Sequence, residues 1–220
     1  MKPRLSAIGL SLASLVCASS CSSMYYGVRE TFGSHKRDIL VERVEEARDA
    51  QDDAKQEFSS ALEAFKATTG FQGGELAGLY EKLNDHYEDS ADAAEEVGER
   101  IEAIEDVSAD LFEEWDDEIQ EIQKLEYRSK SERLLTDTRS RCRQLVGAMR
   151  AAESKMKPVL VAFHDHVLFL KHNLNAQAIA SLQGQLSTIE SDVGVLIRDM
   201  EKSIAEADAF IEQMEGKQDG

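Results

Sequence analysis

A heptad pattern of apolar residues, sustained over most of the chain, is the feature that most constrains the fold. Positions spaced alternately by three and four residues share one face of an α-helix, so this pattern predicts helices that pack against other helices. The chain has only two prolines among its 220 residues, Pro3 and Pro158. Hydrophobic residues make up 42% of it, which favours a folded chain over a disordered one.

The first predicted helix extends from about residue 35 to residue 66. Its stripe consists of Leu40, Val44, Ala47, Gln51, Ala54, Phe58, Ala61 and Phe65. Residues 69–74, which contain three glycines, end this helix because glycine accepts the left-handed conformation found after helix termini. A phosphate-binding glycine loop is the alternative interpretation of residues 69–74. It lacks the flanking strand and the lysine that such loops use.

The second predicted helix, residues 75–125, keeps one heptad phase from Leu76 to Trp115 and then shifts by one residue to include Ile119 and Ile122. The third, residues 129–172, has a stripe from Leu135 that ends at Leu174 in the link beyond it. Because the apolar phase continues through Pro158, we expect a kink there and not a break.

The fourth predicted helix begins after Asn175, a residue type that caps helix N-termini. Its stripe extends from Ile179 to Met214 and contains Gly184 and Gly194. Glycine costs about 1 kcal/mol in a helix interior. We therefore expect these two glycines to permit the close approach of another helix.

Four long helices joined by short links predict an all-α, elongated antiparallel bundle with coiled-coil seams. Charge supports one pairing in this bundle. Residues 75–126 contain 20 acidic and 3 basic residues, whereas residues 127–158 contain 9 basic and 3 acidic residues, so the net charges are −17 and +6. The acids expected to lie beside Arg128, Lys130, Arg133, Arg139 and Arg141 are Glu113, Glu114, Asp116, Asp117, Glu118 and Glu121.

The N-terminus has the pattern of an export signal. Lys2 and Arg4 precede an apolar segment at residues 5–16, which is shorter than the roughly 20 residues that span a bilayer. The ending, Ala18-Ser19-Ser20-Cys21, resembles the site at which lipoprotein signal peptidase cleaves before a lipid-modified cysteine. We expect a lipid on Cys21. Ordinary cleavage at the small residues, giving a soluble periplasmic or secreted protein, is the alternative.

The residue after Cys21 is serine and not aspartate. By its resemblance to Gram-negative lipoproteins, this implies the periplasmic face of the outer membrane. The predicted organisation is a signal peptide at residues 1–20, a membrane-proximal tether at 21–34, a helical coiled-coil domain at 35–215 and a disordered tail at 216–220.

The cysteine count agrees with this organisation. Cys17 leaves with the signal peptide and Cys21 carries the lipid, so Cys142 is left without a partner for an internal disulfide. Cys142 lies on the apolar stripe between Thr138 and Leu145. We expect it to be a small buried apolar residue and not a nucleophile.

Two stretches resemble a known family. One combines Lys-Arg-Asp-Ile-Leu-Val at 36–41 with Arg-Asp-Ala-Gln at 48–51. The other combines Leu-Phe-Leu-Lys-His-Asn-Leu-Asn-Ala at 168–176 with Ile-Ala-Ser-Leu-Gln-Gly at 179–184. They are similar to a Gram-negative bacterial family catalogued as domain of unknown function 2959, over residues 24 to about 214. The resemblance implies a helical protein, often with a lipoprotein signal, and brings no known activity, ligand or catalytic residue.

The sequence predicts no catalytic, cofactor or metal site. No histidine has a glutamate three residues before it, which excludes the paired Glu-x-x-His motif of di-iron bundles. His164 and His166 are two residues apart and point in different directions on a helix, so they cannot chelate from one face. The acidic cluster at residues 85–92 lacks the spacing of a calcium-binding loop and is expected to be a solvated face; it comprises Asp85, Glu88, Asp89 and Asp92.

The formal net charge of −18 disfavours nucleic acid and unaided binding to anionic lipid headgroups. The basic residues between 128 and 150 can receive an acidic partner or a phosphorylated lipid, although internal pairing with the second helix accounts for them. We expect a non-enzymatic, lipid-anchored scaffold or adaptor of the cell envelope that binds another envelope protein. A periplasmic bundle that holds a lipid or other apolar ligand between its helices is the alternative. The oligomeric state stays open.

Overall fold

The computed structural model describes residues 36–71, 73 and 75–216. Apart from Lys36, these residues belong to one compact unit, Arg37–Gly220. The predicted signal peptide, the tether and the lipidation site at Cys21 lie outside the described residues, as does the predicted tail beyond Gly216.

The described chain forms five helices: α1 (Lys36–Thr69), α2 (Leu76–Glu121), α3 (Leu125–His172), α4 (Ala176–Gln183) and α5 (Leu186–Gly216). The predicted all-α class is confirmed, and the described residues contain no β-strand. At 1.5 Å per residue, α2 and α3 are each about 70 Å long. The helix α3 continues without a break through Pro158.

The four long helices pack antiparallel to their neighbours in chain order, and α5 also lies beside α1. Polar contacts between the helices show this arrangement, because residue numbers rise along one helix as they fall along the next. The contacts are Glu46–Arg100 and Glu57–His86 between α1 and α2, Glu105–Arg150 and Trp115–Ser131 between α2 and α3, and Arg48–Asp208 and Lys66–Glu190 between α1 and α5. Between α3 and α5, Lys155 pairs with Asp199, and Leu145 lines a cleft with Phe210. The up-down-up-down bundle expected from short links is therefore present.

The predicted stripes of α1 and α3 form much of the core. Every predicted stripe position of α1 is buried, and so is every one of α3 from Leu135 to Leu170. Phe65 of α1 and Phe163 of α3 meet edge to face, with ring centroids 6.3 Å apart, and neither is exposed to solvent. Removal of such side chains from water is the main force that holds long helices together.

The last predicted helix is two helices, and the role expected for its glycines is wrong. Asn175 caps α4 as predicted, because its Oδ1 accepts hydrogen bonds from the amides of Gln177 and Ala178. The chain then turns at Gly184, between α4 and α5. Among the described residues, a Cβ on Gly184 or Gly194 would meet only atoms of its own local segment within 4 Å. Neither glycine therefore lies where another helix approaches.

The α2–α3 hairpin has the predicted antiparallel arrangement, but two of its arginines contact main-chain carbonyls, which the charge pattern did not predict. Arg128 donates hydrogen bonds to the main-chain carbonyls of Gln120 and Ile122, and Arg139 donates to that of Phe112. Gln120 and Ile122 lie at the C-terminal end of α2, where main-chain carbonyls lack partners within the helix and carry its negative dipole end, so they attract the guanidinium of Arg128. Arg139 instead reaches a carbonyl in the interior of α2. The charge pattern alone did not predict these contacts with main-chain carbonyls.

The α2–α3 hairpin extends past the described ends of α1 and α5. Arg37, near the start of α1, donates a hydrogen bond to the carbonyl of Met214, near the end of α5. Arg141 of α3 and Gln213 of α5 line one surface cleft. The first turns of α3 and the last turns of α2 therefore form a two-helix tip, in which the indole of Trp115 donates a hydrogen bond to Ser131.

Candidate functional site

Both ends of α3 expose large apolar side chains. Leu125 and Tyr127 stand at its start, and the solvent-exposed fractions of these residues are 75% and 56%. At its other end, four residues are 39–53% exposed: Val161, Leu168, Phe169 and Leu174. We call these four residues the apolar row. Leu174 was predicted to continue the buried stripe. It is exposed because α3 ends at His172.

The apolar row lies in a nearly uncharged stretch of a strongly charged chain. Val161 and Leu168 are seven residues apart and share a face of α3, with Phe169 beside them. Between residues 158 and 172 the only acid is Asp165 and the only lysine is Lys171. Exposed apolar groups with few charges at their centre are typical of surfaces that contact another protein.

A shallow groove of about 500 Å³ lies between α2 and α3. Its apolar lining is formed by Ala109, Phe112, Val146 and Gly147, and three arginines also line it: Arg139, Arg143 and Arg150. Arg150 forms ion pairs with Glu105 and Glu153, and the guanidinium of Arg139 lies 5.4 Å from the centroid of the Phe112 ring. Glu105 also lines the groove and pairs with Arg150, so the groove combines apolar surface with the positive charges of Arg139 and Arg143.

Cys142 is a free thiol in the core, 2% exposed, as its place on the stripe predicts. Burial raises the pKa of this thiol above its ordinary value near 9.0, the Ser108 hydroxyl opposes the rise and the charge of Glu105 adds to it. Reactive cysteines are accessible and have a lowered pKa. Cys142 has the opposite properties.

We expect Cys142 to contribute stability that declines at high pH. Above pH 9 the unfolded chain loses the thiol proton while the folded chain keeps it, so rising pH favours unfolding. The measurement is the free energy of unfolding from pH 7 to pH 10.5 for the native chain and for Cys142→Ala. The difference between the two pH profiles removes the contribution of the other titrating groups, which both chains share. A native chain that loses no more stability than Cys142→Ala above pH 9 would contradict this expectation.

A histidine and two carboxylates come together between α1 and α2. One ligand-type atom from each of Glu57, His86 and Asp89 lies within 4.8 Å of the others. The Glu57 Oε2 and His86 Nδ1 atoms are 3.9 Å apart, too far for a hydrogen bond. His86 Nδ1 is shielded from solvent, and no hydrogen-bond partner among the described residues reaches it.

The other histidines considered from the sequence lie apart from one another. The ring of His164 stacks on Tyr87 at 5.3 Å, whereas the ring of His166 lies 4.9 Å from that of Phe65. Burial lowers the pKa of His166. The two imidazoles thus serve separate packing contacts.

The predicted acidic face at residues 85–92 is largely solvated, since Asp85, Glu88, Asp89 and Asp92 are all exposed. Glu88 accepts a hydrogen bond from Asn84 on its own helix. Asp89 alone of the four joins the cluster with Glu57 and His86. The sequence signal for this cluster is the spacing of three between His86 and Asp89, which puts them on one face of α2. The contribution of Glu57 depends on tertiary packing.

Comparison with known proteins places the chain in a family. A family model described as Protein of unknown function (DUF2959) matches residues 25–214. The chain belongs to DUF2959. The DUF2959 match extends over nearly all of the five helices and agrees with the resemblance of the two stretches noted in the sequence. No curated protein and no solved structure matches the chain. Among the described residues of this DUF2959 protein, no helix has the length and apolar character needed to cross a membrane.

Proposed function

We propose that the chain is a lipid-anchored helical scaffold of the cell envelope that binds another envelope protein. The observation that supports this most is the exposure of apolar side chains at both ends of one helix. Leu125 and Leu168 are 43 residues apart on α3, which corresponds to about 65 Å along a helix. A continuous helix within a packed bundle holds two contact surfaces at a fixed separation.

The apolar row is the surface to which we assign the partner. Leu168, Phe169 and Leu174 belong to one of the stretches that resemble the family. Partly exposed leucine and phenylalanine gain stability when a second protein covers them. The proposed anchor is Cys21, on the strength of its sequence context.

We expect photocrosslinking in living cells to capture a partner at the apolar row. A photoreactive residue at Leu168 is expected to give a discrete protein adduct, whereas one at Ser140 or Ser154, exposed positions in the middle of α3, is expected to give none. Phe169→Glu is expected to lower the adduct at position 168 by about tenfold or more, the effect typical of an interface anchor. Gln177→Glu, an equal charge at an exposed position of α4, is the matched control.

The Cys21→Ser variant separates the anchor from the binding surface, because it removes the lipidated residue and leaves the row intact. If the adduct at position 168 is absent from cells that carry normal amounts of the chain, the scaffold proposal is wrong. If Gln177→Glu lowers the adduct as much as Phe169→Glu does, the assignment to the apolar row is wrong.

The groove between α2 and α3 favours a second candidate function, the binding of a lipid or another amphiphile. Its apolar residues suit an acyl chain, and Arg143 suits an acidic headgroup. Native mass spectrometry of the gently extracted chain distinguishes the two functions. A persistent extra mass that disappears in Val146→Glu supports the amphiphile, and its absence supports the scaffold.

A further inference from the structure

The cluster of Glu57, His86 and Asp89 differs from the other polar contacts between helices. At other places beside the core, opposite charges meet across the interface, as Glu46 does with Arg100 at 3.4 Å. Here two carboxylates lie near one imidazole. Like charges in such proximity repel each other unless a cation lies between them.

We propose that Glu57, His86 and Asp89 bind a zinc ion at the α1–α2 interface. Zinc binds imidazole nitrogen and carboxylate oxygen at about 2.0–2.2 Å and takes four ligands in a tetrahedron. In that geometry two ligand atoms are about 3.3 Å apart, so zinc binding requires the Glu57 oxygen to move closer to His86 Nδ1 than its present 3.9 Å.

The unpaired nitrogen of His86 is the observation that points to a metal. A buried polar atom without a partner is uncommon in folded proteins, and His86 Nδ1 is such an atom among the described residues. A metal ion accepts the lone pair of a neutral imidazole nitrogen. Ligation through Nδ1 leaves the proton on Nε2.

The ligand chemistry favours zinc over the hard cations. Calcium and magnesium prefer sites made entirely of oxygen, whereas imidazole suits zinc and its neighbours in the first transition series. The site also lies in a strongly negative region, since residues 75–126 carry a net charge of −17 from 20 acidic and 3 basic residues. Such a field raises the local concentration of cations.

All three ligand residues reach the surface, which leaves an open coordination position. The Glu57 and His86 side chains are 37% and 38% exposed, and Asp89 is exposed as well. Three protein ligands and one solvent-facing position resemble the arrangement in which zinc keeps a water molecule. The site can therefore accept a fourth ligand from outside the chain.

The test is zinc binding by the full chain after removal of metal, measured by competition with a chromogenic chelator. We expect one zinc ion per chain and a rise in the thermal unfolding temperature on its addition. His86→Gln, Glu57→Gln and Asp89→Asn are each expected to weaken binding by about tenfold or more, because each removes one of three ligands. Since all three residues are partly or fully exposed, circular dichroism is expected to show an intact fold in every variant.

The matched controls are His172→Gln and Glu88→Gln, which remove a histidine and a carboxylate outside the cluster. Both are expected to bind zinc as the native chain does. The proposal is overturned if the native chain binds no stoichiometric zinc, which would leave an ion pair of His86 with Glu57 as the role of the contact. It is also overturned if Glu88→Gln weakens binding as much as Asp89→Asn, or if calcium competes equally with zinc, since either outcome would indicate attraction by the acidic face alone.

Discussion

Replacing Phe163 with alanine is expected to lower the free energy of unfolding by about 3–5 kcal/mol, the usual cost of removing a buried phenyl ring. Phe163 is not exposed to solvent, and its ring meets that of Phe65 edge to face. The two residues join α3 to α1. Loss of the ring therefore leaves a cavity where two long helices meet, and rigid helices close such a cavity poorly.

Phe169→Ala is the matched control, because the same residue type on the same helix is 39% exposed. We expect its effect on stability to stay within about 0.5 kcal/mol. The measurement is urea-induced unfolding followed by circular dichroism at 222 nm. Equal losses in the two variants would show that Phe163 is not part of a continuous core.

Heptad spacing predicted the core because burial in a bundle follows directly from helix periodicity. The polar residue Gln51 and the small residue Ala47 are as buried as Phe58, since all three share one face of α1. The end of α3 at His172 agrees with the predicted bound, but its start at Leu125 precedes the predicted residue 129, and the predicted fourth helix is divided at Gly184. Leu174 continues the stripe in sequence, but the chain has already left α3 at His172.

The candidate sites show a second limit of sequence-based reasoning. The heptad stripe correctly predicted that Cys142 is buried, because its burial depends only on the helix face on which it lies. The cluster of Glu57, His86 and Asp89 depends on the register between α1 and α2. Register is determined by packing along the whole interface, so no local spacing places Glu57 opposite His86.

The need to fix the register between α1 and α5 also explains why their mainly apolar interface includes polar residues. Gln51 and Ser203 are fully buried at the contact between α1 and α5. The Ser203 hydroxyl and the Gln51 side-chain carbonyl are hydrogen-bonding partners, and the same hydroxyl lies 3.0 Å from the carbonyl of Met200. A buried polar pair of this kind disfavours sliding of the helices, because any other alignment leaves the Gln51 side-chain carbonyl without the Ser203 hydroxyl.

Ser203→Ala is expected to lower the free energy of unfolding by about 1–3 kcal/mol, because it leaves the Gln51 side-chain carbonyl buried without its partner. Gln51→Leu is expected to cost less, since Ser203 can still donate to the Met200 carbonyl within its own helix. The double variant replaces both groups with apolar ones and is expected to recover most of the loss caused by Ser203→Ala. Urea-induced unfolding of the four chains gives the coupling energy directly.

The relative stability losses of Ser203→Ala and Gln51→Leu distinguish a shared hydrogen bond from simple packing. If only volume mattered, Ser203→Ala would be nearly neutral, because it removes one oxygen atom, and Gln51→Leu would be nearly neutral because the two side chains are similar in size. A double variant whose loss equals the sum of the single losses would show that the pair does not act as a unit. We expect instead that apolar replacement of both residues keeps the bundle stable and weakens the preference for one register. Trapping with a short thiol-reactive crosslinker between cysteines placed at Arg48 and Asp208, neighbours across the same interface, is expected to lose yield in the double variant relative to the native interface.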